Sequence, residues 1–429
     1  MRATSPGAVT QWMDGGYPHL LKGQFLGVVM PCACPYSSLM LSRLPLTLGL
    51  SALLVFAGCG TTPTSAPPTS SAAPATSSAS AVPPELPAPR AAALQTALDA
   101  SREHGGFPGA IVGVWSPAGS WVGTTGTSGP DGRPIQRGDH TRIGSITKTF
   151  TVTLLLQLAE AGQVSLDDPI GTYVPGVPNA STATLRQLAS MTSGIQSYTF
   201  VPKFTDDYFA HPTRVWTVGE LVDLIKTTKP QFPAGSKVQY SNSNTVLLGL
   251  VIEKVTGKKI PAVLQERILD PLGLRETSFP ATASLPSPYL SGITEQGDPE
   301  DIVKDATGWS PSFGFTAGQM VSTLDDLHLW ANALCTGEGI LKPATQKLRL
   351  DSLTSTVEGN TPRRTYGLGF GITDGWIGHT GEIPGYNTVL QCNPDTQTVI
   401  VTIVNSDIPV DGTSPAVSVF NSTVKALNA

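Results

Sequence analysis

Charge is scarce in this 429-residue sequence: Asp, Glu, Lys and Arg make up 14 % of it, and the formal net charge is only −5. No Lys/Arg run or basic stripe occurs, so the electrostatic footprint of a nucleic-acid binder is missing. Histidine and cysteine are also few, at six and five residues. They form no His-x-x-x-His or Cys-x-x-Cys pair, which speaks against a metal site, and no cofactor is expected. The apolar stretch Leu44 to Ala57 is too short to span a bilayer comfortably. What the chain does have is 40 % hydrophobic residues, enough to fill a large core.

The N-terminal region reads as export machinery rather than as a domain. Residues 1–39 lack periodicity despite Cys32 and Cys34, and Met40 is the more natural start, with 1–39 a misassigned leader. From there Arg43 supplies a basic region, Leu44 to Ala57 an apolar one, and Phe56-Ala-Gly-Cys59 a small-residue cleavage site. A Cys directly after Ala-Gly resembles the bacterial lipoprotein signal, with Phe56 in place of the usual Leu. That resemblance implies a lipidated Cys59 and a protein held on the extracytoplasmic face of the cell membrane; plain secretion is the alternative. Residues 60–88, nearly all Thr, Ser, Ala and Pro, cannot bury enough apolar surface to offset ordering entropy, and read as a tether.

A single domain is expected over 89–429. Arg90 to His104 has helical spacing, and Ala110–Trp115 and Ser120–Thr124 form a hairpin around Ser116-Pro-Ala-Gly119. From about 150 to 300 helical patterns dominate, over Leu185–Met191, Val218–Thr227, Thr245–Thr256 and Ile260–Leu269. Strand patterns return at Tyr366–Phe370, Trp376–His379, Asn387–Gln391 and Thr398–Val404, and a helix over Pro415–Leu427 closes the chain. Strands at both ends around a helical middle predict an α/β (α+β) fold: an antiparallel sheet built from both chain ends and flanked by helices, with an all-α insert and a cleft between them.

Three patterns belong to that cleft. Ser145 precedes an apolar run through Ala161 that reads as a buried helix, and Lys148 follows at i+3, where Cβ atoms lie about 5–6 Å apart on a helix. A deprotonated Lys148 can then take the Ser145 proton. Ser422-Thr-Val-Lys425 has the same spacing, and a plain helix cap is the bland reading of either. Tyr240-Ser-Asn242 sits on a loop before a helix, and His379-Thr-Gly381 follows a strand-like run. Singly these read as a cap and a strand histidine.

Together and in this order they resemble the penicillin-recognising serine hydrolases, and more specifically the branch of class C β-lactamases, D-alanyl-D-alanine carboxypeptidases and related esterases and aminopeptidases. Context such as Thr184-Leu-Arg-Gln-Leu188, Thr192-Ser-Gly194 and Pro271-Leu-Gly-Leu274 extends the resemblance over roughly 89–429. It implies Ser145 as nucleophile, Lys148 and Tyr240 sharing the proton traffic, and Asn242 holding an amide or carbonyl of the acyl portion. The backbone N–H groups of Ser145 and Glu382 would form the oxyanion hole, and Thr380 would bind a substrate carboxylate or carbonyl. His379 stands where many relatives carry Lys, so a positive charge would be lost above its titration range. Gly371 stands where an arginine could read a terminal carboxylate, leaving Arg363 and Arg364 as the nearest candidates. Met191 replaces a common His and is expected to affect packing only.

The leading expectation is an exported, lipid-anchored serine hydrolase acting through an acyl-enzyme on an ester, an amide or a D-amino-acid peptide, with a small molecule or peptidoglycan peptide as its partner. A true β-lactamase or D-alanyl-D-alanine carboxypeptidase is the alternative among enzymes. A non-catalytic binder of cell-wall peptides is the alternative from another class. With Cys32, Cys34 and Cys59 set aside, Cys335 and Cys392 remain as an even pair in an oxidising compartment, where a disulfide is plausible.

Overall fold

The computed structural model describes residues 84–298 and 300–429. Cys59, the export signal at 40–59, the 1–39 segment and the tether up to residue 83 lie outside the described residues. The fold starts slightly earlier than Pro89: Glu85 bridges Ser120, and Leu86 is buried under the N-terminal helix Ala88–Gly105.

In chain order the strands are β1 Gly109–Ser116, β2 Gly119–Gly126, β3 Thr141–Arg142, β4 Ile293–Thr294, β5 Lys304–Asp305, β6 Val321–Ser322, β7 Arg364–Tyr366, β8 Gly371–Thr373, β9 Trp376–Ile383, β10 Tyr386–Asn393 and β11 Thr398–Val404. Seven of them form one antiparallel sheet in the order β2-β1-β11-β10-β9-β8-β7. The early and late strands meet within it, where β1 pairs with β11 from Ala110↔Val404 to Trp115↔Val399. The remaining strands make two short pairs, β3 with β6 and β4 with β5.

Strand β11, Thr-Val-Ile-Val-Thr-Ile-Val, is buried at every residue, as expected of a β-branched run covered on both faces. Its Ile400 and Val404 join Val112, Val114 and Val389 under the N-terminal and C-terminal helices. Alternate residues Val399, Val401 and Ile403 face the main core with Ile111. That core contains the helix Thr147–Glu160, whose residues from Thr147 to Leu156 are all buried. The threonines tolerate this because their hydroxyls find carbonyls: Thr149 donates to Ile146 O at 2.7 Å, Thr153 to Thr149 O at 2.8 Å and Thr151 to Thr316 O at 2.8 Å.

The helical part caps this core, with helices at Leu185–Ala189, Pro202–Ala210, Val218–Thr227 and Asn242–Thr256. Two of them start with capping boxes, Thr184 with Gln187 and Thr217 with Glu220. The helix expected to reach Met191 stops at Ala189, because Met191 itself takes φ +59°. Of the expected strand Tyr366–Phe370 only Tyr366, the last residue of β7, is in a strand, and residues 367–370 are the turn to β8: Gly369 has φ +81° and its N–H donates to Gly367 O. Cys335, near the end of the helix Leu324–Thr336, is disulfide-linked to Cys392 of β10, with the Cα atoms 6.6 Å apart.

Candidate active site

Ser145 lies in a tight turn, Gly144–Ile146, that leads into the buried helix Thr147–Glu160. Two glycines let this turn press against β9. Gly144 has φ +48°, and a Cβ there would stand 2.6 Å from the Glu382 nitrogen; a Cβ on Gly381 would stand 2.0 Å from Ile143 O. The backbone of Ser145 is thereby held beside that of Glu382, the pair expected to supply the oxyanion hole.

Lys148 Nζ donates to Ser145 Oγ at 2.8 Å and to Ala317 O at 2.7 Å. Lys148 has no exposed surface, and burial pushes its ammonium well below the ordinary lysine range. The carbonyl that receives it comes from the segment Pro311–Ala317, in which Phe315 adopts φ +38°, a strained conformation for a non-glycine residue. Sequence reasoning missed this segment, and the aromatic run Phe313-Gly-Phe315 is its only visible mark. The Ser422 alternative lies within the helix Pro415–Leu427 rather than at its start, and Lys425 is exposed.

The ring of Tyr240 lies over Lys148, 4.9 Å from Nζ to its centroid. It packs among Tyr366 and His379, at 6.1 and 6.0 Å between centroids. Asn242 begins the helix Asn242–Thr256; its N–H donates to Ser197 Oγ and its amide to Thr199 Oγ1 at 3.4 Å. Ser145, Asn242 and Glu382 line a cleft of about 430 Å³ together with Tyr198, Thr199, Gln296 and Phe313. Thr380 is buried in β9, between His379 and Gly381.

His379 departs from its expected behaviour. Its Nδ1 faces Thr380 O, so that nitrogen carries the hydrogen and Nε2 accepts from the Tyr366 hydroxyl at 3.0 Å. Full burial, with Lys148 nearby, lowers its pKa to about 3. The expected loss of charge near neutrality is therefore corrected: the imidazole is neutral through that whole range. The proposed carboxylate readers are also displaced. Arg363 is exposed and paired with Asp374 Oδ1 at 2.5 Å, and Arg364 lines a second hollow of about 350 Å³ with Tyr240, Met191, Asn360 and Tyr366. Met191 packs with Val238 and Tyr366 and accepts from Asn244 Nδ2 through its sulfur at 3.3 Å. Among the described residues no cluster suits a metal ion.

A sheet closed by both termini, a helical cap and a Ser-x-x-Lys pair at their junction define the serine β-lactamase/transpeptidase-like class. The chain belongs to the Beta-lactamase family, whose model matches residues 94–420. It is similar to a D-stereospecific amidohydrolase from Streptomyces sp., at 34 % identity over 77 % of this chain and 98 % of that one, with a TM-score of 0.68. A D-amino acid amidase from Ochrobactrum anthropi SV3 is 26 % identical over 79 % of this chain and 99 % of its own, with a TM-score of 0.69. Penicillin-binding protein 4 of Amycolatopsis lactamdurans is 26 % identical over 62 % of this chain and 72 % of that protein. The chain spans about half to three fifths of the length of the first curated relatives it matches.

Proposed function

We propose that this protein is an exported serine hydrolase that cleaves esters or amides, including those of D-amino acids, through an acyl-enzyme on Ser145. The observation that carries the reading is the 2.8 Å contact between Ser145 Oγ and a buried Lys148 whose burial favours the neutral amine. A neutral Lys148 takes the proton as Ser145 Oγ attacks the substrate carbonyl carbon. The developing oxyanion is received by the N–H groups of Ser145 and Glu382. The proton then passes, by way of Lys148 or the Tyr240 phenol, to the departing amine or alcohol, and water releases the acid in a second cycle of the same steps. Asn242 and Thr380 orient the acyl portion. The similarity to a D-stereospecific amidohydrolase and a D-amino acid amidase supports an amide or ester of a D-amino acid as the substrate class.

The direct test is incubation with a fluorophosphonate, followed by mass measurement of the labelled peptide. A single adduct on Ser145, absent from Ser145→Ala, supports the reading; an adduct on Ser422, or none, ends it. Attachment through a lipidated Cys59 is part of the same proposal and rests on the Phe56-Ala-Gly-Cys59 pattern. Among the described residues no helix is long and apolar enough to cross a membrane. Wild type is expected in the detergent phase and Cys59→Ser in the aqueous phase; equal partitioning removes the anchor.

A further inference from the structure

The cleft has a polar wall that the acyl-transfer chemistry does not use. Gln296, in the loop between β4 and β5, lines it together with Ser145, Asn242 and Glu382. Strand β4, which leads into that loop, is pinned to the chain beyond β11, because Ile293 N–H donates to Asn405 O at 3.2 Å; within the loop Gln296 N–H donates back to Thr294 Oγ1 at 3.1 Å. Asp407, only 5 % exposed, accepts on the same Oδ2 from Thr294 Oγ1 at 3.0 Å and from Gln296 Nε2.

This arrangement decides which end of the Gln296 amide remains available. A carboxylate only accepts, so it fixes the NH₂ end toward Asp407 and leaves the carbonyl oxygen for other use. Gln296 Oε1 is buried and has no hydrogen-bond partner, whereas the Asp407 carboxylate is also held by the backbone N–H groups of Gly385 and of Asp407 itself. A buried acceptor without a donor is costly unless a ligand supplies the hydrogen. The charge of the cleft narrows the ligand further. The residues that line it include one carboxylate, Glu382, and no lysine, arginine or histidine.

We propose that Gln296, held in place by Asp407, is a specificity-determining residue that accepts a hydrogen bond from a primary ammonium group of the substrate, such as the α-ammonium of an amino-acid amide or ester. This deepens the proposed function and rests on it. Ser145 provides the chemistry, and the Gln296 wall selects a substrate with an unblocked amine. Burial lifts the Asp407 carboxyl to about 7, and an ammonium beside it would offset that loss of hydration. Asp407 acts here as a positioning residue, because its contact with the substrate runs through the Gln296 amide.

The test compares wild type with Gln296→Met at pH 8 on three substrates: D-phenylalanine p-nitroanilide, its N-acetyl derivative and p-nitrophenyl acetate. The expected result is a loss of tenfold or more in kcat/KM on the free-amine substrate, carried mainly by KM, with less than twofold change on the other two. Competitive inhibition of p-nitrophenyl acetate hydrolysis by D-phenylalanine amide should weaken in parallel, which keeps the idea testable if the anilide turns over slowly. Asp407→Asn should reproduce the selective loss, and a Gln296→Asn variant should restore none of it, its oxygen being one methylene short. An equal loss on the free and acetylated substrates, or none on either, overturns the ammonium assignment while leaving Ser145 as nucleophile. Failure of wild type to turn over p-nitrophenyl acetate overturns the proposed function itself, and this inference with it.

Discussion

Lys148 Nζ approaches Ser145 Oγ to 2.8 Å from a position with no solvent exposure, and it also donates to a backbone carbonyl, Ala317 O. Among the described residues no carboxylate compensates the ammonium, so burial acts unopposed and favours the neutral amine.

The first prediction follows from that contact. Lys148→Ala should slow acylation by about 10²–10⁴-fold, the range for a positioned general base, and Lys148→Arg should not rescue it, since a guanidinium stays protonated. The pH profile of kcat/KM should rise as Lys148 loses its proton, with its midpoint well below 10.5. Between the lowered folded value and the unfolded one the unfolded chain binds more protons, so the contribution of Lys148 makes stability increase with pH across that window. A rising limb centred near 10.5, measured on p-nitrophenyl acetate, would remove Lys148 from the base role.

The proposed oxyanion hole rests on the close approach of two glycines, and the second prediction addresses them. Gly144 and Gly381 admit no Cβ without moving the backbone of Glu382 or Ile143. Gly381→Ala should lower kcat by about 10²–10³-fold, as the loss of one oxyanion donor does, with a smaller change in KM. Gly144→Ala adds backbone strain at φ +48° and should lower thermal stability as well. Unchanged kcat in both variants would place the oxyanion elsewhere.

How much of this was legible in the sequence depended on distance along the chain. Strand β11 announces itself because seven successive residues are β-branched, and the Ser145–Lys148 contact is local to one helical turn. Tyr366–Phe370 misleads because its aromatic and leucine residues look strand-like, whereas Gly367 and Gly369 turn the chain and bury Leu368 beside Arg349. The state of His379 was hidden because its burial is produced by Tyr366, Tyr240 and Lys148, none of them near in sequence. The link between Gln296 and Asp407 spans 111 residues and leaves no pattern at all.

His379 gives the third prediction. With its folded pKa lowered from 6.5 to about 3, the unfolded chain binds the extra proton between those values. Its contribution therefore makes stability fall as pH drops below about 6.5, while activity between pH 7 and 9 carries no histidine limb. His379→Asn should flatten the acid side of the stability curve, as read by thermal melts from pH 4 to 8. His379→Lys should lower Tm, because a second ammonium would be buried near Lys148, rather than improve anionic substrates. A gain in Tm at pH 5 for His379→Lys would contradict the burial argument.

The disulfide supports a fourth prediction. Cys335–Cys392 closes a loop with a sequence separation of 57 and ties the helix Leu324–Thr336 to β10, the neighbour of β9. Its removal by Cys335→Ser with Cys392→Ser should cost about 2–4 kcal/mol, seen as a lower midpoint in urea, and leave kcat nearly unchanged. Alkylation of both thiols in the unreduced, denatured protein would show that the bridge does not form.

The last prediction concerns the preferred substrate charge. A β-lactam, or a peptide ending in D-alanine, brings a carboxylate that needs a cationic or strongly donating partner. His379 is neutral and faces Tyr366, Arg363 is paired with Asp374 at the surface, and Arg364 lines a second hollow with Tyr240 rather than the cleft of Ser145. Thr380 remains as a hydroxyl donor, which is weaker than a charged one. An uncharged ester loses nothing by these absences, and a substrate with an ammonium gains from them. Values of kcat/KM should therefore fall in the order free-amine amino-acid ester, neutral nitrophenyl ester, then a chromogenic cephalosporin or a D-Ala-D-Ala peptide. Arg364→Ala should leave all of them within about twofold, since Arg364 does not line the cleft that holds Ser145. Should the cephalosporin or the peptide exceed the neutral ester by tenfold, and Arg364→Ala abolish that advantage, Arg364 is the carboxylate reader and the two hollows act as one site.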